Sequence, residues 1–389
     1  MPKTLNIVAD AHIWGVESAF STLPGFDVNL RALENRDISR QALLHADILL
    51  TRSSTSVNSG LLAGTQVRFA ATATIGDDHF DKSWLDKHQV SWANAAGSST
   101  GSVIEYMVSM LLAMHANGVI SIPDTSIGII GVGRIGTALA YICRAFGMQV
   151  LLNDPPRVRA EGGKGFCSLD QILEQADILT LHTPLISEGD DCTRHLLDDE
   201  RLKRFSGRGI INAARGSCVD NAALLRWLDG DASRFAALDC WESEPRPDYA
   251  LISHPGLLFA TPHIAGHSLD GKAANTLFAY QALCHYLHID PVWDMQKQLP
   301  ETAAPHTFSL KGDVWQTLHA ITSHLYALDE DNQAMKSWPD LTLSELPNAF
   351  SRYRRHYPVR RAWQCVPVHL KQADERTLEL AQAIGIKLV

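Results

Sequence analysis

The chain has 389 residues, 46 % hydrophobic and 20 % charged, with a net charge of −9, enough for two or three domains with full cores. The acidic balance, with no basic face evident, argues against nucleic acid or an anionic membrane as the main partner; the longest apolar stretch, 103–114, contains Glu105 and is too short to span a bilayer. Seven scattered cysteines without a Cys-x-x-Cys pair read as free buried thiols of a reducing cytoplasm.

The N-terminal MPKTLNIVAD reads as the start of a strand rather than a signal peptide. Strands are predicted over 4–10, 26–33, 46–53, 67–76 and 90–97, with helical segments between them such as 59–64. That alternation implies a parallel sheet covered on both faces. Residues 101–118 form one long helix, with Val103, Met107, Met110, Leu111 and Met114 at helical spacing and Gly118 as C-cap. Its methionines read as core filler, and the helix as a connector to a second strand-helix series over 122–266. The helical stretch 268–288 is placed to pack back on the first domain. A Pro- and Gln-rich shift near 290–301 marks a boundary, and the remainder has mixed helical character.

Within the second series, IGIIGVGRIGTALA (127–140) carries Gly131, Gly133 and Gly136 after an apolar strand and at the opening of a helix. This is the context a dinucleotide fingerprint requires. Gly131 permits the turn, Gly133 admits the pyrophosphate, and Gly136 lets helix and strand pack closely. Arg134 and Ile135 begin the helix whose free N–H groups face the anion. Asp154, at the end of the next strand, would bind the ribose hydroxyls and repel a 2′-phosphate, favouring NAD as cofactor. The alternative is a structural glycine turn in which Asp154 merely caps the following segment.

Four further strand ends carry polar residues: LHTP (181–184), NAARG (212–216), ALDCWESEP (237–245) and TPHIAG (261–266). In a doubly wound sheet these ends line the ligand crevice. A 2-hydroxy acid needs a planar cation for its carboxylate and developing carbonyl, which Arg215 offers. It needs a base for the hydroxyl proton, which His263 offers. A carboxylate beside the imidazole, Glu244, fixes its tautomer and stabilises the imidazolium. Asp239 is expected on the nicotinamide side. No metal ligand set is evident.

Together these stretches resemble the D-2-hydroxyacid dehydrogenase family, in order, over roughly residues 1–290. RSSTSVN (52–58), ATATIGDDHFD (71–81), NDPPR (153–157), HTPL (182–185) and HIAGHSLDGKA (263–273) bring the resemblance closer to a branch acting on a four-carbon 2-hydroxy acid with a terminal phosphate. The resemblance implies an α/β fold with two doubly wound parallel-sheet domains. A flavodoxin-like substrate domain would span 1–98 and 267–289, a Rossmann-like NAD domain 99–266, and an α+β C-terminal dimerisation domain 290–389. It implies a cytoplasmic homodimer, catalytic Arg215, Glu244 and His263, and substrate contacts at Ser53 and Thr74. Cofactor contacts are implied at Asp154, Thr183, the backbone of Ala213, Ala214 and Arg215, Asp239 and Gly266.

Two positions depart from the family pattern. His267 stands where a substrate-binding tyrosine is usual, and Asp77 where a smaller polar residue is expected. A phosphorylated substrate needs a second cation, for which Arg52 is one candidate. SRYRRHYPVRR (351–361), with five arginines, reads as a solvated basic face or as a pocket contribution. The competing functions are another hydroxyacid dehydrogenase, of phosphoglycerate or glycerate type, and a non-catalytic NADH-sensing protein. The two domains are expected to hinge through 101–118 and 266–270.

Overall fold

The computed structural model of the chain describes residues 2–301, 304–309, 312–357 and 360–389. Two compact units emerge, Met1–Gly101 with Ser268–Glu301, and Ser102–His267 with Thr302–Val389. The chain therefore passes between units three times, at 101/102, 267/268 and 301/302.

The first unit holds five parallel strands: β1 (Lys3–Asp10), β2 (Phe26–Leu33), β3 (Ile48–Thr51), β4 (Phe69–Thr72) and β5 (Ser91–Ala93), in the order β2-β1-β3-β4-β5. This is the flavodoxin-like order, and it places a topological switch between β1 and β3. Every residue of β3 and β4 is buried, as their unbroken apolar runs require of central strands covered on both faces. β2, at the edge, alternates partly buried and exposed residues over most of its length. The helix Leu269–Leu287 returns to this unit and buries Ala279, Tyr280, Leu283 and Cys284 against β1, β3 and β4.

The second unit contains six parallel strands: β6 (Ser126–Ile130), β7 (Gln149–Asn153), β8 (Ile178–Leu181), β9 (Gly209–Asn212), β10 (Phe235–Leu238) and β11 (Leu257–Ala260), ordered β11-β10-β9-β8-β6-β7. The strand order reverses between β6 and β8, which sets the ligand crevice at the C-terminal ends of those strands. The helix Thr100–Ala116 is buried at every position from Ser102 to Met114. Met107, Met110 and Met114 have no exposed surface.

The sequence places a third domain from 290 onward. In the structure, 290–301 stays with the first unit, while the later residues build a small parallel sheet within the second. Its strands are β12 (His306–Ser309), β13 (Pro367–Lys371) and β14 (Lys387–Leu388), paired β12-β13-β14. Leu318, Ile321, Tyr326 and Trp363 share a core with the helix Thr100–Ala116, and Met335, Trp338 and Phe350 join the core on the opposite sheet face. A buried ion pair reinforces this packing. Glu105, in the middle of the apolar helix, receives Arg360 on one oxygen and the Trp363 N–H at 2.7 Å on the other.

Beside that pair, Asp331 accepts hydroxyl hydrogen bonds from Tyr353 at 2.6 Å and Tyr357 at 2.7 Å. Burial pushes its carboxyl up to about 6 from 3.8, against the opposing effect of both tyrosines and Arg360. An acid raised in the folded state binds its proton more tightly there than in the unfolded chain. Stability therefore falls as pH rises from about 4 to about 6. Asp331→Asn is expected to flatten that part of the stability-versus-pH curve, by at most roughly 3 kcal/mol across the window. Urea denaturation at pH 4.5 and 7 checks it; parallel curves for the two proteins would refute it.

Among the described residues no helix is long and apolar enough to cross a membrane. Among the described residues no cysteine forms a disulfide. Cys143, Cys218, Cys240 and Cys284 are buried, but Cys167, Cys192 and Cys365 are only partly so, where the sequence reading expects buried thiols throughout.

Candidate active site

The glycine loop joins β6 to the helix Arg134–Ala145. Gly131 has φ +87°, and a β-carbon there would lie 2.8 Å from the His182 backbone and from Thr183 Cγ2. A β-carbon on Gly136 would meet the Gly131 carbonyl at 2.1 Å. At Gly133, by contrast, nothing lies within 4 Å. Two glycines thus close the turn, and the third leaves backbone open for an anion at the helix N-terminus, where Arg134 is exposed and Ile135 half-buried. A cavity of about 450 Å³ adjoins this loop, lined among others by Gly131, Gly133, Asp154, His182, Thr183 and Pro184. These residues fit a dinucleotide.

Asp154 takes the capping role weighed from the sequence and also braces the glycine loop. Oδ1 caps the helix Pro155–Glu161 through the Arg157 N–H at 3.0 Å, and Oδ2 accepts the Val132 N–H of the glycine loop at 2.8 Å. The carboxylate stays at the cavity wall. The nearby Arg157, the cation that could offset it toward a 2′-phosphate, is engaged by both oxygens of Glu161 and by the Val132 carbonyl.

The arginine at the mouth of β9 is set by a residue the sequence reading passed over. Asn212, fully buried, accepts the Ala214 N–H at 3.1 Å and donates to the Arg215 carbonyl at 3.0 Å, stapling the turn through Ala213. Arg215 Nη1 then donates to the Ala214 carbonyl at 2.8 Å. The thiol of Cys240, past the end of β10, donates to that same carbonyl at 3.3 Å. Cys240 Sγ in turn lies within 4.8 Å of ligand atoms of both Glu244 and His263. One carbonyl therefore links the guanidinium to the carboxylate–imidazole pair.

His263 Nδ1 meets Glu244 Oε2 at 2.8 Å, while the Trp241 N–H donates to Glu244 Oε1 at 2.8 Å. Burial pushes the Glu244 carboxyl up, but the charge and hydrogen bond of His263, the Trp241 N–H and the Arg354 charge outweigh it and hold the group below its usual value. The glutamate is an anion at neutral pH, as a partner for imidazolium must be. Cys240, Glu244 and His263 are also donor types a metal could use. Burial, with the nearby Asp239 and Glu244 charges, pushes the Cys240 thiol far up. That thiol is held in its protonated form.

His263 adopts a left-handed backbone, φ 55°, a conformation a non-glycine residue keeps only when its surroundings impose it. Asp239 imposes it. Its carbonyl accepts the His263 N–H at 2.7 Å, and its buried carboxylate accepts Thr261 Oγ1 at 2.8 Å, the Ile264 N–H at 2.7 Å and the Ala265 N–H at 2.9 Å. Tyr106, on the buried helix, shares a 2.8 Å hydrogen bond with the same threonine hydroxyl. Both Asp239 carboxylate oxygens are thus engaged in shaping the loop 261–265, a duty that motif order alone does not reveal. Gly266 and His267 follow on this loop, both partly exposed; the His267 N–H donates to the Ile264 carbonyl at 2.7 Å, and its ring lies edge-on to Tyr357.

The C-terminal segment touches this loop from its own chain. Arg354 Nε donates to the His263 carbonyl at 3.2 Å, Arg360 to the His267 carbonyl at 3.3 Å, and Asn332 accepts the Ala260 N–H at 2.8 Å. The run 351–361 is therefore not a uniform basic face. Arg352 and Arg355 are exposed, while Arg354 is half-buried and Arg360 buried.

In the first unit, Arg52 and Ser53 follow β3, and Thr74 follows the adjacent β4, so all three stand at C-terminal strand ends. Ser53 is exposed; Thr74 Oγ1 bonds Thr72 Oγ1 at 2.6 Å and the Gly76 carbonyl at 2.9 Å. Asp77 is held by Lys82 at 2.8 Å and by Asn94 at 2.7 Å.

The sequence model of the D-isomer specific 2-hydroxyacid dehydrogenase NAD-binding domain matches residues 112–265. A protein of Pseudomonas aeruginosa (strain UCBPP-PA14) named erythronate-4-phosphate dehydrogenase is 38 % identical over 359 residues, 92 % of this chain and 93 % of that protein. One of the same name from Hydrogenovibrio crunogenus is 36 % identical over 392 residues, covering 100 % of each. Among solved structures, D-lactate dehydrogenase from Aquifex aeolicus, complexed with NAD and lactic acid, superposes with a TM-score of 0.60 at 21 % identity, covering 73 % of this chain and 96 % of that one. NAD-bound 3-phosphoglycerate dehydrogenase of Entamoeba histolytica gives 0.61 at 20 % identity, again covering 73 % and 96 %. The structures establish a shared fold, and the sequence relatives, aligned nearly end to end, establish descent: the chain belongs to the D-isomer specific 2-hydroxyacid dehydrogenase family, in its erythronate-4-phosphate dehydrogenase branch.

Proposed function

We propose that this chain oxidises 4-phospho-D-erythronate to (R)-3-hydroxy-2-oxo-4-phosphooxybutanoate with NAD, the dehydrogenase step of that name in vitamin B6 biosynthesis. The observation that carries the chemistry is the Glu244–His263 hydrogen bond, one shared carbonyl away from Arg215. NAD, when bound, supplies the acceptor for the hydride that leaves C2. In this reading the residues of the chain do the rest. Arg215 holds the substrate carboxylate and the developing carbonyl with a planar fork. With Nδ1 on Glu244, His263 keeps Nε2 for the substrate hydroxyl and takes its proton as the C2–H bond breaks. Glu244, held anionic, stabilises the resulting imidazolium. Asp239 positions the histidine rather than exchanging protons. Ser53, Thr74 and His267 are assigned to the substrate on the strength of their motifs, and a cytoplasmic homodimer through the C-terminal segment completes the proposal.

The test is NADH formation with 4-phospho-D-erythronate, D-erythronate, D-glycerate and 3-phosphoglycerate. The highest kcat/KM is expected with the first, and slow but measurable turnover with D-erythronate. Preference for phosphoglycerate would move the chain to another substrate, and NADH binding without turnover of any acid would make it a sensor. Arg215→Lys is expected to lower kcat/KM roughly 100-fold, mostly through KM, because an ammonium cannot form two parallel bonds to a carboxylate. NAD affinity, measured by fluorescence quenching, should stay within about twofold, since the contacts fixing the glycine loop lie on other strands; a large loss would show that Arg215 serves the cofactor.

A further inference from the structure

The arginine run of the C-terminal segment presents two guanidinium groups to the catalytic half of the chain, and they differ in one respect. Arg360 is neutralised by Glu105. Arg354, half-buried at the end of the helix Leu346–Arg355, spends only Nε, on the carbonyl of His263. Its Cζ lies 5.8 Å from the centroid of the Phe350 ring. Among the described residues no carboxylate pairs with Arg354, and its two terminal nitrogens have no hydrogen-bond partner. In a chain with a net charge of −9, a partly desolvated guanidinium left without an anion is an energetic cost unless an anion arrives from outside.

The position of that guanidinium is equally specific. It is bonded to the backbone of the proton-transfer residue and is close enough to Glu244 for its charge to help hold that carboxylate down. Arg215, to which the substrate carboxylate is assigned, is already linked to the Glu244–His263 pair through the Ala214 carbonyl and Cys240. A second anionic group on the same small molecule therefore has a cation waiting beside the proton-transfer pair.

We propose that Arg354 is the phosphate-binding residue of the substrate site: its free Nη1 and Nη2 receive the terminal phosphate of the hydroxy acid while Nε stays on the His263 carbonyl. The C-terminal segment then acts as a specificity element, contributed by the chain to its own catalytic loop. The fork geometry suits a phosphate monoester, whose oxygens accept parallel N–H bonds. This inference rests on the proposed substrate being a phosphorylated acid.

The test uses the full-length chain and the Arg354→Gln and Arg354→Lys variants. With 4-phospho-D-erythronate, Arg354→Gln is expected to lower kcat/KM by roughly 10- to 100-fold, mainly through KM, with Arg354→Lys between it and wild type. With unphosphorylated D-erythronate the loss should be roughly 10-fold smaller than with the phosphorylated acid. Inorganic phosphate, titrated calorimetrically into the enzyme–NAD complex, should bind the Gln variant at least ~10-fold more weakly. Equal losses on both acids would make Arg354 a mere prop for His263 and overturn the inference, as would unchanged phosphate binding. Should wild-type enzyme fail to oxidise the phosphorylated acid, the functional proposal falls, and the phosphate titration still decides for or against Arg354 as an anion site.

Discussion

Replacing His263 with alanine is expected to lower kcat by about 10²- to 10⁴-fold, the usual worth of a positioned general base, while NAD affinity changes less than about twofold. The structure separates the two effects. The imidazole sits on the loop after β11, whereas the dinucleotide cavity is walled by the ends of β6, β7 and β8. The backbone contacts of residue 263, to Asp239 and Arg354, survive the substitution, so the loss should be one of chemistry rather than architecture. Glu244→Gln should reproduce much of it, and the double variant should be little worse than His263→Ala, because the two side chains act as a unit. Stopped-flow measurement of NADH formation checks both points. An undiminished single-turnover rate in His263→Ala would remove the histidine from the mechanism. Because Glu244 is held below its ordinary 4.5, its contribution to stability is fully present above that value and is lost only as pH falls through the lower folded one. Activity lost between pH 7 and 5 therefore cannot be charged to protonation of this carboxylate.

Glu105→Gln should be the most damaging substitution outside the catalytic groups, costing about 3–5 kcal/mol, because it leaves the Arg360 charge buried without its counter-ion. The two side chains are only 7 % and 8 % exposed. Glu105 also holds the Trp363 N–H, so the helix Thr100–Ala116 and the C-terminal segment loosen together. Removing both charges, as Glu105→Leu with Arg360→Met, should recover much of the stability, since an apolar pair avoids the desolvation cost of two ions. Thermal unfolding and limited proteolysis near residue 360 report the result. If the single and double variants melt together at the wild-type temperature, the pair is not what fastens the segment. The loosened variant should also lose discrimination for the phosphorylated acid, because Arg354 and Arg360 both bond the loop 263–267.

The parts of this protein legible from its sequence are those written in short-range pattern. Apolar runs of four or five residues mark β3, β4, β6 and β8, because a central parallel strand is buried on both faces and admits little else. The spacing of Gly131, Gly133 and Gly136 is readable because each glycine answers a local steric demand. Arg215, Glu244 and His263 can be picked out as a set because parallel topology delivers successive strand ends to the same edge of the sheet.

What the sequence could not decide depends on contacts between distant positions. Strand-end logic gathers Asp239 with Arg215, Glu244 and His263 but does not say that its carboxylate turns inward to hold the loop 261–265. Asn212 looks like one more strand residue until the turn it staples is seen. The run 351–361 offers five arginines of equal standing; helix phase and the packing of Phe350 and Tyr353 turn Arg354 toward His263 and leave Arg352 and Arg355 in solvent. A composition shift near 290 suggests a separate domain, yet the tail is fastened to the second unit by a glutamate placed more than two hundred residues earlier. Local periodicity determines which elements form and where their chemistry-bearing ends lie, because those are demands of a few neighbouring residues. Only the packed structure decides which buried charge meets which partner, because that energy resides in pairs that the chain order keeps apart.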